Sequence, residues 1–300
     1  MDLSVIIVSY NSREELRRSI AAVELGAKDL SWEIIVVDNA SADDSVGYVG
    51  TTFPEVKLVR NTHNHGFARA CNQGVAVSAG DFVLFLNPDT ECKPGSLTSL
   101  VRVLQNDRAI GTVGPRLLAE DGRPSRSCFR FHTLWRPTFN LPLLRWIVGE
   151  RLALHYSPEH PSIRGGGPVD WLSGACLLVR RNALEQVGGF DERYFMYFDD
   201  TDLCNRLVTE GWGVVYVPAV EVVHHGAQSS KKSWGRMLVE MQRSRLIYLS
   251  KHYGAVGQLV LRALMVAAAV LRVVPSICAG KRNRIRTEID IIRVALTAVE

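Results

Sequence analysis

No Cys-x-x-Cys pair occurs in this chain, and Cys71, Cys92, Cys128, Cys176, Cys204 and Cys278 are scattered without metal-type spacing. That pattern fits a reduced, intracellular protein. No charged segment with an apolar core precedes the first apolar run, so no signal peptide is expected. No Gly-x-Gly-x-x-Gly follows that run, which counts against a nicotinamide-dependent oxidoreductase on a doubly wound sheet. There is no internal repeat and no low-complexity tract. Acids are almost missing from 231–286, where twelve Lys or Arg face one acid, Glu240. That surplus exceeds the +4 of the whole chain, so the remainder is mildly acidic. A basic tail on an acidic body points to an anionic partner, such as a membrane surface or a phosphorylated lipid. No nucleic acid partner is expected.

What is present is globular: 300 residues, 47% hydrophobic and 22% charged, enough for one large domain with an extension. Apolar runs at 3–9, 33–37, 56–60, 82–86 and 111–118 read as strands. Helices are expected over 13–24, with Glu14 and Glu15 in the first turn, over 66–78, and after Pro94, which would open a helix. This alternation predicts an α/β fold with a mostly parallel central sheet flanked by helices. Residues 119–168, ending near Gly165-Gly166-Gly167, read as an irregular insertion. Beyond it, a strand is expected over 175–179, helices over 181–187 and 202–210, and two short strands over 214–217 and 220–223. From 233 onward the composition is helical.

Polar clusters fall where the strands end: Ser9-Tyr10-Asn11, Asp38-Asn39-Ala40-Ser41 and Asn87-Pro88-Asp89. In open α/β sheets that edge holds the ligand. Asp38 can accept the imino N–H of a pyrimidine, or cap a helix. Tyr10 can stack on the base, or stand as a rim aromatic. The segment 61–74, NTHNHGFARACNQG, places Asn64, Gly66, Arg69 and Asn72 at a loop-to-helix junction. Helix N-termini favour phosphate, although an ordinary capped helix would look similar. Asp89 can hold a hard cation beside a pyrophosphate, or serve a turn. Asp199, Asp200 and Asp202 follow the aromatic run Phe195–Phe198 less one methionine, Met196. Crowding and partial desolvation raise carboxylate pKa values, which suits a general base; an acidic first helical turn is the alternative. Either His224 or His225 can complete a metal site.

In order and spacing these segments resemble family 2 glycosyltransferases, particularly the bacterial rhamnosyltransferase-like branch. The likeness extends through Trp171-Leu172-Ser173-Gly174-Ala175, Gly189-Phe190-Asp191-Glu192, Asp199-Asp200-x-Asp202-Leu203, Gly211-Trp212 and His224 with Ser229, covering 3–230. It implies a GT-A fold and inversion at the anomeric carbon. It implies that Asp38 reads the base, that Ser9, Tyr10, Asn11, Asn39, Ser41, Asn64, Gly66, Arg69, Asn72 and Asn87 surround the nucleotide sugar, and that Asp200 is the catalytic base. Asp89 and His224 would bind Mg²⁺ or Mn²⁺; His224 is preferred over His225 for its spacing to Ser229. Trp171, Gly174, Asp199 and Asp202 would border the acceptor. Asn87 stands where the family commonly has the first Asp of its D-x-D motif.

The expected reaction moves a sugar, best L-rhamnose from dTDP-rhamnose, to a saccharide or polyprenyl-diphosphate-linked saccharide in cell-envelope polysaccharide synthesis. A UDP-sugar donor is the alternative, and a non-catalytic nucleotide-sugar-binding protein is the second. The expected division is a transferase domain over 1–230, with halves 1–118 and 169–230 about the insertion, and an extension over 231–300. Within 255–279 the longest charge-free run, 263–271, is far short of the ~20 residues that span a bilayer. Arg262, Arg272, Lys281, Arg282, Arg284 and Arg286 instead fit a helix lying in a membrane interface. The expected location is cytoplasmic, peripheral on the plasma membrane. A helical pair packed on the body, or in a homodimer, is the competing reading.

Overall fold

The structure is a computed structural model that describes residues 1–132, 161–226 and 234–297. The described residues form two compact units: 1–131, 161–192 and 200–226 in one, and 132, 193–199 and 234–297 in the other.

The first unit is built on a sheet of nine strands among the described residues. β1 (Leu3–Ser9), β2 (Trp32–Asp38), β3 (Lys57–Arg60) and β4 (Phe82–Leu86) run parallel, in the order β3-β2-β1-β4. All seven residues of β1 and all five of β4 are buried. A strand without apolar–polar alternation belongs in a sheet covered on both faces. α1 (Arg13–Gly26) supplies part of that cover, burying Leu16, Ile20 and Val23. α4 (Ser96–Asn106) buries Leu97, Leu100, Val101 and Leu104, the three- and four-residue spacing of a single helical stripe. α3 (Phe67–Ala76) buries Ala68, Ala70, Cys71 and Gly74.

Beyond β4 the sheet is mixed. β10 (Cys176–Arg180) is antiparallel to β4 and to β6 (Ile110–Leu118), and β6 is parallel to β11 (Gly213–His224). β5 (Thr90–Cys92) and β8 (Gly167–Pro168) pair antiparallel with β11. β7 (Cys128–Phe129) and β9 (Trp171–Leu172) form a separate two-stranded ladder.

Several local features differ from the sequence reading. The strands expected over 214–217 and 220–223 are one strand, β11, whose register shifts between Val217 and Glu221. Pro218 lies in that shift, where a missing backbone donor is tolerated. Pro94 does not open α4; Gly95, in the left-handed region at φ 72°, intervenes. α2 (Ser45–Thr52) and β5 were not anticipated. α6 (Arg181–Gln186) matches its expectation, whereas α7 (Asp199–Thr209) begins three residues early and takes all three acids into its first turn, where the helix dipole favours them. Within the 119–168 insertion, β7, α5 (Pro161–Arg164) and β8 are ordered; its middle, like Ser229, lies outside the described residues.

The second unit is helical. α8 (Trp234–Cys278) is broken at Gly254, which has φ 67° and ψ −166°, and its later part pairs with α9 (Arg282–Leu296). Arg262 donates through Nη1 to the carbonyls of Ala295 and Thr297 at the end of α9. Arg272 grips Glu288 with two nitrogens, at 2.8 and 3.0 Å. Both arginines that interrupt the apolar run are therefore engaged with α9.

Candidate active site

The parallel register puts Ser9 opposite Asp38, at the carboxyl ends of adjacent strands. The loops beyond them are laced together. Asn11, at φ 52°, accepts from the Ala42 N–H through Oδ1 at 2.7 Å, and its own N–H donates to Ser41 Oγ at 2.9 Å. The Ser41 N–H donates to Asp38 Oδ2 at 3.0 Å. Asp38 Oδ1 is buried and has no hydrogen-bond partner among the described residues. A buried acceptor without a donor is costly, and a base imino N–H would satisfy it. Tyr10, which follows Ser9, stands half exposed. Ser9 Oγ is buried against Ser12 Oγ at 3.0 Å.

The approach to α3 is fastened to the same edge. Asn39 Nδ2 donates to the Gly66 carbonyl at 2.9 Å, while its Oδ1 accepts from Asn61 Nδ2 at 2.9 Å. Asn64 Oδ1 accepts from the Gly66 N–H at 2.9 Å, and Gly66 takes φ 85°, which favours glycine. Arg69 pairs with Glu192 at 3.7 Å, both half exposed. Asn72 clasps the Phe190 peptide: Nδ2 donates to its carbonyl and Oδ1 accepts from its N–H, each at 2.9 Å. The side chains of Asn39 and Asn72 thus fasten the loops at this edge.

At the end of β4, the register sets Thr90 opposite His224. His224 Nε2 comes within 3.2 Å of Asp89 Oδ1. The neighbouring His225 turns elsewhere, its Nε2 2.8 Å from Glu91 Oε1, while its N–H donates to the Asp89 carbonyl. No cluster of three or more His, Cys, Asp or Glu side chains suited to a metal occurs among the described residues. A carboxylate and an imidazole in contact do not cage an ion. They do fit a cation that draws its other ligands from a diphosphate and water.

Asp200 lies in the first turn of α7. Its Oδ2 accepts from the Gly174 N–H at 3.0 Å, and its Oδ1 from the N–H and Oγ1 of Thr201 at 2.7 and 3.3 Å. Burial pushes its pKa above the ordinary carboxylate value, and those donors oppose the rise. Thr201 was missed by the sequence reading; its only signal is adjacency to Asp200. The turn that carries Gly174 continues to Ala175, whose carbonyl accepts from the Asn87 N–H at 3.0 Å and from Thr90 Oγ1 at 3.3 Å. One turn therefore links Asp200 to the segment bearing Asp89.

Trp171 stacks on Phe129, with centroids 4.1 Å apart, and its Nε1 donates to the Arg130 carbonyl. Asp202 is fully buried and bound by Arg206 at 2.7 Å, whose Nη1 reaches the Val187 carbonyl. That is an anchoring geometry for α7. In the helical unit, Tyr197 and Phe198 both have positive φ, 67° and 62°. Consecutive bulky residues in the left-handed region store strain, of the kind that clusters at functional sites. Asp199, buried beside them, helps push the Tyr197 phenol up, after burial itself.

Comparisons with known proteins agree with one another. A family model described as "Glycosyl transferase family 2" matches residues 4–188. An N-acetylglucosaminyl-diphospho-decaprenol L-rhamnosyltransferase of Mycobacterium tuberculosis (strain CDC 1551 / Oshkosh) is 34% identical over 283 residues, covering 90% of this chain and 91% of that protein. Rhamnosyltransferase WbbL of Escherichia coli (strain K12) is 28% identical, over 82% of this chain and 92% of its own. Among solved structures, the mannosyltransferase PcManGT from Pyrobaculum calidifontis, in complex with GDP-Man and Mn²⁺, aligns with a TM-score of 0.56 at 18% identity, over 98% of this chain and 86% of that one. At that identity the likeness shows the fold, a GT-A arrangement of central sheet and flanking helices.

Proposed function

This chain belongs to glycosyl transferase family 2, and on that footing we propose that it transfers L-rhamnose from dTDP-rhamnose to a saccharide carried on a polyprenyl diphosphate, in cell-envelope polysaccharide synthesis. The observation that carries the reading is the Asp200 carboxylate, held by Gly174 and raised in pKa, on the turn tied to the Asn87–Thr90 segment. The donor sugar is drawn from the two rhamnosyltransferase relatives, and the lipid-linked acceptor from the name of the mycobacterial one.

The proposed reaction is a single displacement with inversion. Asp200 takes the proton of an acceptor hydroxyl as that oxygen attacks the anomeric carbon. The bond from that carbon to the donor diphosphate breaks, and the nucleoside diphosphate leaves. Asp38 Oδ1 would accept the base imino N–H, and the N-terminus of α3 would face phosphate. Asp89 and His224 would hold Mg²⁺ or Mn²⁺, whose charge offsets that of the leaving diphosphate. Thymine and uracil present the same edge to Asp38, so a UDP-sugar is the competing donor.

We take 1–230 as the transferase domain and 231–300 as an extension that rests on the cytoplasmic face of the membrane. By length and composition, Gly235–Cys278 is also long and apolar enough to cross one. The interfacial reading rests on Val256, Leu259, Val260, Val270, Leu271 and Ile277, which form an exposed apolar stripe, whereas Arg262 and Arg272 are taken up by α9. Lys281, Arg282, Arg284 and Arg286 lie exposed at its end, suited to anionic headgroups.

A donor panel with Mg²⁺ or Mn²⁺, spanning dTDP-rhamnose and the common UDP-sugars, tests the reading. Acceptor-dependent consumption of dTDP-rhamnose is expected. Consumption of a UDP-sugar alone would replace the donor, and consumption of none would favour a non-catalytic binding protein.

A further inference from the structure

Asn61 is the residue after β3, a strand whose last pair in the ladder sets Arg60 beside Asp38. Its N–H donates to the Asp38 carbonyl at 2.9 Å. Its half-buried side chain reaches two further elements. Nδ2 donates to Asn39 Oδ1 at 2.9 Å and to Gln73 Oε1 at 2.8 Å, and Oδ1 accepts from Gln73 Nε2 at 2.9 Å. Gln73 lies in the second turn of α3. Asn39 in turn donates to the carbonyl of Gly66, the residue before α3. One side chain thereby ties the end of β2 to α3 along two routes.

The direction of each amide in this chain is forced. A carbonyl can only accept, so Asn39 must turn Nδ2 to Gly66 and Oδ1 to Asn61. Asn61 must answer with Nδ2, which leaves its Oδ1 for Gln73. A hydroxyl has one proton and a carboxylate none, so neither could make both of the donations that Asn61 makes. A fully satisfied polar network of this kind holds a single arrangement.

The elements joined here carry the two ends of the proposed donor site. Asp38 is 3% exposed, and its Oδ1 has no hydrogen-bond partner among the described residues. The start of α3 is the end that favours phosphate. We infer that Asn61 is a positioning residue for the nucleoside diphosphate, fixing the span between the base site at Asp38 and the diphosphate site at α3. This rests on the proposed nucleotide donor. Asn61 acts through Asn39, Gly66 and Gln73, not through a ligand contact of its own. Two sites held at the span of one ligand bind it as a unit, and binding weakens when that span is free to vary.

The test uses the full chain, the variants Asn61→Ala and Gln73→Ala, and three ligands: dTDP, thymidine and pyrophosphate. Calorimetry measures dTDP directly and each fragment by its displacement of dTDP. Asn61→Ala should weaken dTDP by about tenfold, while thymidine and pyrophosphate each stay within about twofold of the wild type. Gln73→Ala cuts only the direct route to α3, so it should give the same pattern with a smaller loss. It also decides the matter if Asn61→Ala does not fold. Equal weakening of all three ligands with a lower melting temperature would make Asn61 merely structural and overturn the inference. Loss shared by dTDP and thymidine alone would confine its effect to the base, and loss shared by dTDP and pyrophosphate alone would confine it to the phosphates; either overturns the inference. Unchanged dTDP affinity in both variants overturns it while leaving the donor reading standing. A wild-type chain that binds no dTDP overturns the donor reading itself, and this inference with it.

Discussion

The main-chain N–H of Gly174 donates to Oδ2 of Asp200 at 3.0 Å, across 26 residues of chain. Thr201 occupies the other carboxylate oxygen, so the carboxylate is oriented from both sides before any substrate arrives. Replacing Asp200 with Asn removes the proton acceptor at little change in shape. kcat should fall by about 10²–10⁴-fold, the usual worth of a positioned general base, with the KM for the nucleotide sugar nearly unchanged. Steady-state kinetics check this, and substantial remaining turnover would refute the assignment.

The same geometry sets a pH dependence. Because burial raises the Asp200 pKa, its ionised form is lost as pH falls through a value above the ordinary 3.8. The acid limb of kcat/KM should therefore lie above the usual carboxylate range. Thr201→Val deletes a hydroxyl donor that lowers this pKa, so the limb should move to still higher pH. A pH–rate profile of the two proteins decides it, and an unmoved limb would mean that the limb reports another group.

His224 and His225 should separate cleanly. His224 meets Asp89, whereas His225 meets Glu91. His224→Ala should raise the Mn²⁺ concentration needed for half-maximal activity and weaken Mn²⁺ binding in the presence of dTDP, followed by electron paramagnetic resonance. His225→Ala should leave both unchanged. The reverse result would exchange the two roles.

Leu259 and Leu271 are 70% and 71% exposed on the apolar stripe of α8. Replacing both with Glu should abolish flotation with anionic vesicles. Stability should change by no more than about 0.5 kcal/mol per site, as for other exposed positions. Flotation that survives the double substitution would remove the stripe from membrane binding, and a variant that changes from dimer to monomer would assign the stripe to a second copy of the chain.

Asn72 offers a contrast with Asp200. Its amide makes two hydrogen bonds to the Phe190 peptide and a third, at 3.1 Å, to Glu192. Asn72→Ala leaves part-buried backbone groups unpaired and should cost about 1–3 kcal/mol of stability. Chemical denaturation measures the loss. A full loss of dTDP binding at unchanged stability would instead make Asn72 a direct ligand contact.

The parallel half of the sheet was legible because β1 and β4 are unbroken apolar runs, as strands covered on both faces must be. The polar ends of those runs then located the candidate site. Features made by distant pairing were not legible. β5 is three residues long and exists through its partnership with β11, so it carries no period of its own. α2, SVGYVGTT, holds two glycines and reads as a loop. The sequence reading reached His224 through its spacing to Ser229, whereas the contact with Asp89 comes from the Thr90–His224 register. For Asn39 and Asn72 the sequence shows only an amide at the sheet edge; their hydrogen bonds to Gly66 and to the Phe190 peptide are made by the fold.

The most direct test is acceptor-dependent release of dTDP from dTDP-rhamnose, using a prenyl-diphosphate-linked saccharide, with wild type and Asp200→Asn compared side by side. The expected result is release with the wild type, a rhamnosylated product of inverted anomeric configuration, and near-silence from the variant. Retained configuration, or equal release by the two proteins, would contradict a single displacement driven by Asp200.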